Sequence, residues 1–128
     1  MRLLLDTHVL LWSVAESRKL PAEARDLLID PGNAVFYSAA SVWEIAIKAG
    51  LARKDFKIDL AEFLEAAADT GFVELPVTSA HAARVSTLPD LHKDPFDRLL
   101  VAQALTESAV LLTNDSALKA YGGQVRVC

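Results

Sequence analysis

Acidic residues that could bind a metal ion stand at four separate points of the chain, each beside a predicted strand end or helix start. If the fold brings them to one edge of a sheet, their carboxylate oxygens form the ligand set that magnesium or manganese prefers. Zinc would favour a cluster of cysteine and histidine, which this sequence lacks. A hard divalent ion could activate a water molecule for hydrolysis. The four residues are Asp6, Glu44, Asp97 and Asp115.

Asp6 and Asp115 each follow a predicted strand. Asp6 comes directly after the apolar residues 3–5, and Asp115 comes after the sequence LLTN at 111–114. In an open α/β sheet ligands bind beyond the carboxyl ends of the strands, so both positions suit a functional site. Aspartate is also common as a helix cap or turn residue, and that structural interpretation stays open for each.

Glu44 interrupts the most apolar stretch of any predicted helix, the sequence VWEIAI at 42–47. A buried carboxylate is costly unless a cation, a hydrogen-bond donor or a metal ion accompanies it. The alternative to a metal is an ion pair with Lys48, four residues further along the same helix.

Asp97 lies in the first turn of a helix that begins at Pro95. The helix dipole favours an anion there whatever its function. Asp94 is the predicted N-cap, because a proline at the first helical position needs no hydrogen-bond partner for its nitrogen. Two acids so close together either repel each other or share a cation. We therefore expect Asp94 beside the site as well.

Other side chains could support the acids or hold a substrate. Hydroxyls could donate hydrogen bonds to the carboxylates, although helix caps and turns explain hydroxyls at these positions too; they belong to Thr7, Ser41 and Thr113. Basic side chains could contact a nucleic-acid backbone, although a solvated loop explains those after residue 50; they belong to Lys48, Arg53, Lys54 and Arg98.

The sequence favours structural roles for the histidines and tryptophans. The histidines show no metal-site spacing and are interpreted as surface or capping residues: His8, His81 and His92. Trp12 and Trp43 could stack on a base, but an aromatic side chain among aliphatic ones more often belongs to the core or to a subunit interface.

The elements that must position these residues alternate along the chain. Apolar runs predict five strands, at 3–5, 34–37, 72–75, 109–112 and 124–127. Helical spacing with caps predicts helices at 21–29, 40–49 and 60–68, followed by helices after Thr78 and after Asp94. Alternating strands and helices imply right-handed crossovers, so we predict an α/β fold with a mainly parallel five-stranded sheet and helices on both faces.

Length and composition limit the number of domains and the class of protein. With 128 residues, 52% apolar and 23% charged, the chain has the size and balance of one folded domain covering 1–128. A net charge of −4 argues against a protein that holds nucleic acid by bulk electrostatics, so any such contact must be local. The lone Cys128 excludes an internal disulfide, and the short apolar start and lack of any run near ~20 apolar residues predict a cytoplasmic protein with no membrane segment.

Four segments of the sequence closely resemble PIN-domain toxins of the VapC type. They are DTHVLLW at 6–12, SAASVWEIAIK at 38–48, DPFDRLL at 94–100 and LTND at 112–115. Each segment alone is a weak signal, but the four in this order span nearly the whole chain and are specific as a set.

This resemblance implies a sheet ordered 3-2-1-4-5 and a metal-dependent endoribonuclease that uses magnesium, or manganese in its place. It implies that Asp6, Glu44, Asp97 and Asp115 carry the acidic cluster, with Asp97 rather than Asp94 as the third acid. It also implies an RNA substrate, a small antitoxin protein that inserts a segment into the active-site groove, and a homodimer as the usual unit.

Two rival functions were compared with this interpretation. A phosphoacceptor signalling domain needs an aspartate after the third strand, where the chain reads FVELP at 72–76, so that class is set aside. A catalytically silent binding module of the same fold would keep the same acids, and the sequence leaves that alternative open.

Overall fold

Five strands form the centre of the molecule. The computed structural model describes residues 1–51 and 57–128. Within them the strands are β1 (Arg2–Leu5), β2 (Ala34–Ser38), β3 (Val73–Leu75), β4 (Val110–Thr113) and β5 (Val125–Val127). Their order is β3-β2-β1-β4-β5 and every pairing is parallel. The predicted α/β class and strand order are confirmed, and each predicted strand end lies within one residue of the observed end.

Helices connect the strands. They are α1 (Thr7–Ala15), α2 (Ala22–Ile29), α3 (Ala39–Gly50), α4 (Leu60–Asp69), α5 (Ser79–Val85) and α6 (Pro95–Thr106), with 3-10 turns at Ser17–Lys19 and Ser116–Tyr121. The sequence predicted all of the α-helices except α1. That helix reads THVLLWSVA and buries residues on several sides, so it lacks the polar face that reveals a surface helix.

The core lies on both faces of the sheet. Leu3 and Leu5 of β1 point into one apolar cluster, which includes residues of α1, α3 and α4. Leu4 points to the opposite face, where it packs with residues of α6 and β4. Because β1 is buried on both faces, it reads as an unbroken apolar run rather than an alternating one.

The carboxyl ends of β1 and β4 lie side by side at the centre of the sheet. The backbone N–H of Asp6 donates to the carbonyl of Leu112 at 3.0 Å, which extends the pairing of the two strands to the first residue beyond β1. Helices α3 and α6 pack against each other beside this edge. In the described part of the chain, no helix combines the length and the apolar character needed to cross a membrane.

Candidate metal site

A pocket opens at the carboxyl edge of the sheet. Its volume of about 410 Å³ lies within the range of pockets that bind small ligands or part of a larger substrate. All four predicted acids line it, together with Asp94 and several neutral or basic side chains. The full lining is Asp6, Thr7, His8, Trp12, Glu44, Lys48, His92, Asp94, Asp97, Asn114 and Asp115.

Asp6 is both a helix cap and a member of this pocket. Its side chain caps α1 by accepting a hydrogen bond from Val9 N at 2.8 Å through Oδ1, while Oδ2 accepts from the Thr113 hydroxyl. Asp6 is only 4% exposed, and this burial raises its pKa above the ordinary value, although both hydrogen bonds act in the opposite direction. The cap and site interpretations of Asp6 are therefore compatible.

Glu44 is buried on α3 and has partners for both oxygens. Oε1 accepts a hydrogen bond from the Thr7 hydroxyl at 2.7 Å, and Oε2 lies 2.9 Å from Lys48 Nζ. The hydroxyls of Thr7 and Ser41 lie 3.0 Å apart, so Ser41 reaches Glu44 only through Thr7. The ion pair that the sequence offered as an alternative to a metal is thus present, inside the pocket itself.

Asp97 differs from these two carboxylates because it lacks a compensating donor. The hydrogen bonds among the described residues include none to its carboxylate, and His92 Nε2 lies 3.7 Å from its Oδ2. Burial, followed by the Asp94 carboxylate, raises the pKa of Asp97 to about 7; Asp6 and Glu44 add to the rise and His92 opposes it. Of the pocket carboxylates, Asp97 is therefore the one that a bound cation would stabilise most.

Asp94 and Asp97 have separate roles in the first turn of α6. Asp94 is the N-cap, as predicted, and its Oδ1 accepts hydrogen bonds from Phe96 N at 2.8 Å and Asp97 N at 3.2 Å. The cap uses only Oδ1 of Asp94, so capping leaves its second oxygen free, as it does in Asp6 and Asp115. Asp94 and Asp97 both line the pocket.

Asp115 caps the 3-10 turn that follows β4. Its Oδ1 accepts a hydrogen bond from Ala117 N at 3.0 Å, and its side chain is 43% exposed, which makes it more accessible than Asp97 at 20%. Its Oδ2 lies 3.2 Å from His92 Nε2.

His92 is a pocket residue that the sequence interpretation placed only on the surface or in a cap. One ligand-type atom from each of His92, Asp97 and Asp115 lies within 4.8 Å of the others. The available signal was its position two residues before Asp94, since a short loop that leads into α6 must end at the same edge of the sheet.

The donor set fits a hard divalent cation. Carboxylate oxygens dominate the pocket, and such ligands suit magnesium or manganese. Among the described lining residues, Lys48 is the only side chain with a fixed positive charge, and it is already paired with Glu44. A cation near Asp97 would stabilise the ionised carboxylate, whose pKa is raised first by burial and then by repulsion from Asp94.

The basic residues predicted to contact nucleic acid occupy different environments. Lys48 lines the pocket, whereas Arg53 and Lys54 lie outside the described residues. Arg98 does not line the pocket: its guanidinium donates to Pro89 O at 3.1 Å and to Tyr121 Oη at 3.1 Å. These bonds hold the loop before α6 against the turn after β4, which gives Arg98 a structural role.

Some of the aromatic and histidine side chains line the pocket and others lie outside it. Trp12 lines the pocket with His8, their ring centroids 5.9 Å apart, while Trp43 is exposed and packs edge-on against Phe96. His81 is a buried capping residue, in agreement with its predicted capping role: its ring accepts a hydrogen bond from Thr78 N.

Comparison with known proteins gives one family and several similar structures. The family model described as "PIN domain" matches residues 3–124. A search of curated proteins finds no match.

Three similar solved structures span nearly the whole chain. VapBC2 from Rickettsia felis, bound to a promoter DNA fragment, has a TM-score of 0.71 and 14% identity and covers 100% of this chain and 98% of its own. FitAcB from Neisseria gonorrhoeae has a TM-score of 0.67 and 22% identity, and the match covers 96% of this chain and 95% of that one. A toxin–antitoxin complex from Klebsiella pneumoniae has a TM-score of 0.63 and 21% identity, and the match covers 97% of this chain and 95% of that one. At these identities the likeness establishes the fold.

Proposed function

The chain belongs to the PIN domain family, and from that premise we propose that it is a metal-dependent endoribonuclease and the toxin of a toxin–antitoxin pair of the VapC type. One observation carries the nuclease proposal: four acids from separate parts of the chain line one pocket, and none of the described residues donates a hydrogen bond to the carboxylate of Asp97 there. Such a site is expensive to maintain without a cation.

In the proposed site Asp6 and Asp97 hold the principal magnesium or manganese ion. Glu44 binds the ion or orients the attacking water, and Asp115 completes the site directly or through water. A bound ion supplies activation of water at neutral pH and stabilisation of charge on the phosphate oxygens. Hydrogen bonds from Thr113 to Asp6 and from Thr7 to Glu44 hold the two carboxylates in place before a substrate arrives.

RNA binding would rely on local contacts, because the chain carries a net charge of −4. We expect Lys48 to meet a phosphate, since it lines the pocket and its side chain is 32% exposed. Trp12 is placed to stack on a base, because its ring lines the same pocket beside His8.

The toxin role and its partners rest on the similar structures. These structures are VapBC2, FitAcB and a toxin–antitoxin complex. We extend this to the present chain as a proposal: a small antitoxin protein binds over the pocket, the working unit is a homodimer, and the protein acts in the cytoplasm. Co-purification with the product of an adjacent gene tests the partner, and light scattering tests the dimer.

A catalytically silent binding module of the same fold is the second candidate. The Glu44–Lys48 ion pair favours it, because this pair compensates the buried carboxylate of Glu44 without any metal. In that case the protein would bind its partner but leave RNA intact.

RNA cleavage decides between the two candidates. Wild-type protein should cleave structured RNA with magnesium and not with EDTA, and Asp6→Asn and Asp97→Asn should each abolish cleavage. Asp90→Asn is the matched control, because the Asp90 side chain is 97% exposed and outside the pocket. Cleavage that survives in both pocket variants would rule out the proposed site, and a wild-type protein that binds magnesium without cleaving would favour the silent module.

A further inference from the structure

The imidazole of His92 has a defined donor and acceptor. The backbone N–H of Asp94 donates to Nδ1 at 3.1 Å, so Nδ1 must present a lone pair and carries no proton. A proton on Nδ1 would point at the backbone N–H of Asp94, and two donors cannot form a hydrogen bond. The nitrogen that faces the pocket as a donor is therefore Nε2.

This tautomer decides what His92 can do in the pocket. Nε2 lies 3.2 Å from Asp115 Oδ2 and 3.7 Å from Asp97 Oδ2. A nitrogen that carries a proton has no lone pair to offer a metal ion, and Nδ1 already accepts the backbone hydrogen bond. Although atoms of His92, Asp97 and Asp115 lie within 4.8 Å of one another, His92 is a donor to Asp115 rather than a third ligand.

Asp115 has a backbone hydrogen-bond donor on one of its two oxygens. It stands on a 3-10 turn, its side chain is 43% exposed, and the Ala117 backbone occupies only Oδ1. Asp6 and Glu44 are each oriented by a threonine hydroxyl, from Thr113 and Thr7. Among the described residues, His92 is the side chain that donates to Asp115 Oδ2.

We propose that His92 is a positioning residue, whose Nε2–H holds the Asp115 carboxylate towards Asp97 so that both can bind one divalent ion. The proposal rests on the proposed function, since it assigns a role within the same metal site. It makes the loop before α6 part of the site: the Asp94 backbone orients the imidazole, and the imidazole orients Asp115.

Manganese binding, measured by calorimetry without RNA, tests the role separately from nuclease activity. His92→Leu removes the donor and should weaken manganese binding about 10- to 100-fold, the usual effect of losing a group that orients a ligand. His92→Gln places an amide N–H near the Nε2 position and should stay within about threefold of wild type. Asp90→Asn, a change in the same loop at a 97% exposed side chain, should bind like wild type.

A double-mutant comparison tests whether His92 acts through Asp115. In an Asp115→Asn background, His92→Leu should weaken manganese binding less than about threefold further, because the group it positions has changed. Nitrogen NMR of the wild-type ring requires no variant and should show a protonated Nε2 and an unprotonated Nδ1, with and without magnesium.

The proposal would be overturned by equal loss of manganese affinity in His92→Gln and His92→Leu, by wild-type affinity in His92→Leu, or by a proton on Nδ1. Wild-type protein that binds no manganese would overturn it as well. Manganese binding that follows the predicted order of variants, in a protein that does not cleave RNA, would support the role of His92 and contradict the nuclease proposal alone.

Discussion

The Thr113 hydroxyl donates a hydrogen bond to the carboxylate of Asp6, 107 residues earlier in the chain. Both residues are buried where β4 and β1 end side by side. The bond joins the end of one central strand to the end of the other, so the geometry of the acid site depends on the pairing of the sheet.

Thr113→Val should destabilise the protein. Valine has nearly the same shape but leaves one oxygen of the buried Asp6 carboxylate without its donor, which costs about 1–3 kcal/mol, and also removes the acceptor of Asp115 N. Urea unfolding measures the loss. Thr87→Val is the control, since that hydroxyl donates to Arg84 O at the exposed surface and its loss should change the free energy of unfolding little. Equal effects of the two substitutions would contradict the importance of the Asp6 bond.

The metal-free protein should lose stability as the pH rises from about 4 to about 7, through the contribution of Asp97. Its pKa is raised from 3.8 to about 7, so in this window the folded state holds a proton that the unfolded state has released. Asp97→Asn removes this dependence, and its stability relative to wild type should grow with pH. Denaturant unfolding in EDTA at pH 5 and pH 8 measures the change, and a constant difference would refute it.

Magnesium should raise the melting temperature of wild-type protein, and more strongly at pH 8 than at pH 6. Below about pH 7 the ion must displace the proton of Asp97, which weakens its apparent affinity, while above that pH the carboxylate is already ionised. Thermal melts at fixed magnesium concentration test this. Asp6→Asn should greatly reduce the shift, and a full shift in that variant would show that the ion binds elsewhere.

Lys48→Met should weaken RNA binding and make it less dependent on salt. Loss of one phosphate contact is expected to reduce the slope of the salt dependence by about one. Binding to uncleaved RNA in EDTA at several salt concentrations measures both effects. Lys19→Met is the matched control, because Lys19 also pairs with an acid on a neighbouring turn, Glu16, but lies outside the pocket. The same change in both variants would indicate a general charge effect.

Trp12→Leu should weaken RNA binding by the loss of one stacking contact, worth about 1–3 kcal/mol per base. Leucine keeps an apolar side chain against the core cluster that Trp12 contacts. Trp43→Leu removes an exposed tryptophan outside the pocket and should bind RNA like wild type. Fluorescence anisotropy with single-stranded RNA compares the two, and a larger loss in Trp43→Leu would reverse the assignment.

The sequence by itself determined the parts of the molecule that depend on neighbouring residues. An apolar run ended by an acid indicated β1 and Asp6, and an aspartate before a proline indicated the cap of α6 at Asp94. These signals are local, because a buried strand selects apolar side chains and a helix start selects a hydrogen-bond acceptor. The strand order came from a resemblance to a known family, since no local signal specifies which strands pair.

Tertiary structure decided which side chains share the pocket. The sequence did not predict helix α1, because this helix is packed on several sides and so lacks the helical alternation of apolar and polar residues. His92 enters the pocket and Arg98 turns away from it, although both stand close to Asp97 in the sequence. Spacing along a chain places a residue on an element, but its partners come from other elements, as Thr113 does for Asp6. That pairing exists only because β1 and β4, which are far apart in the chain, lie side by side in the sheet.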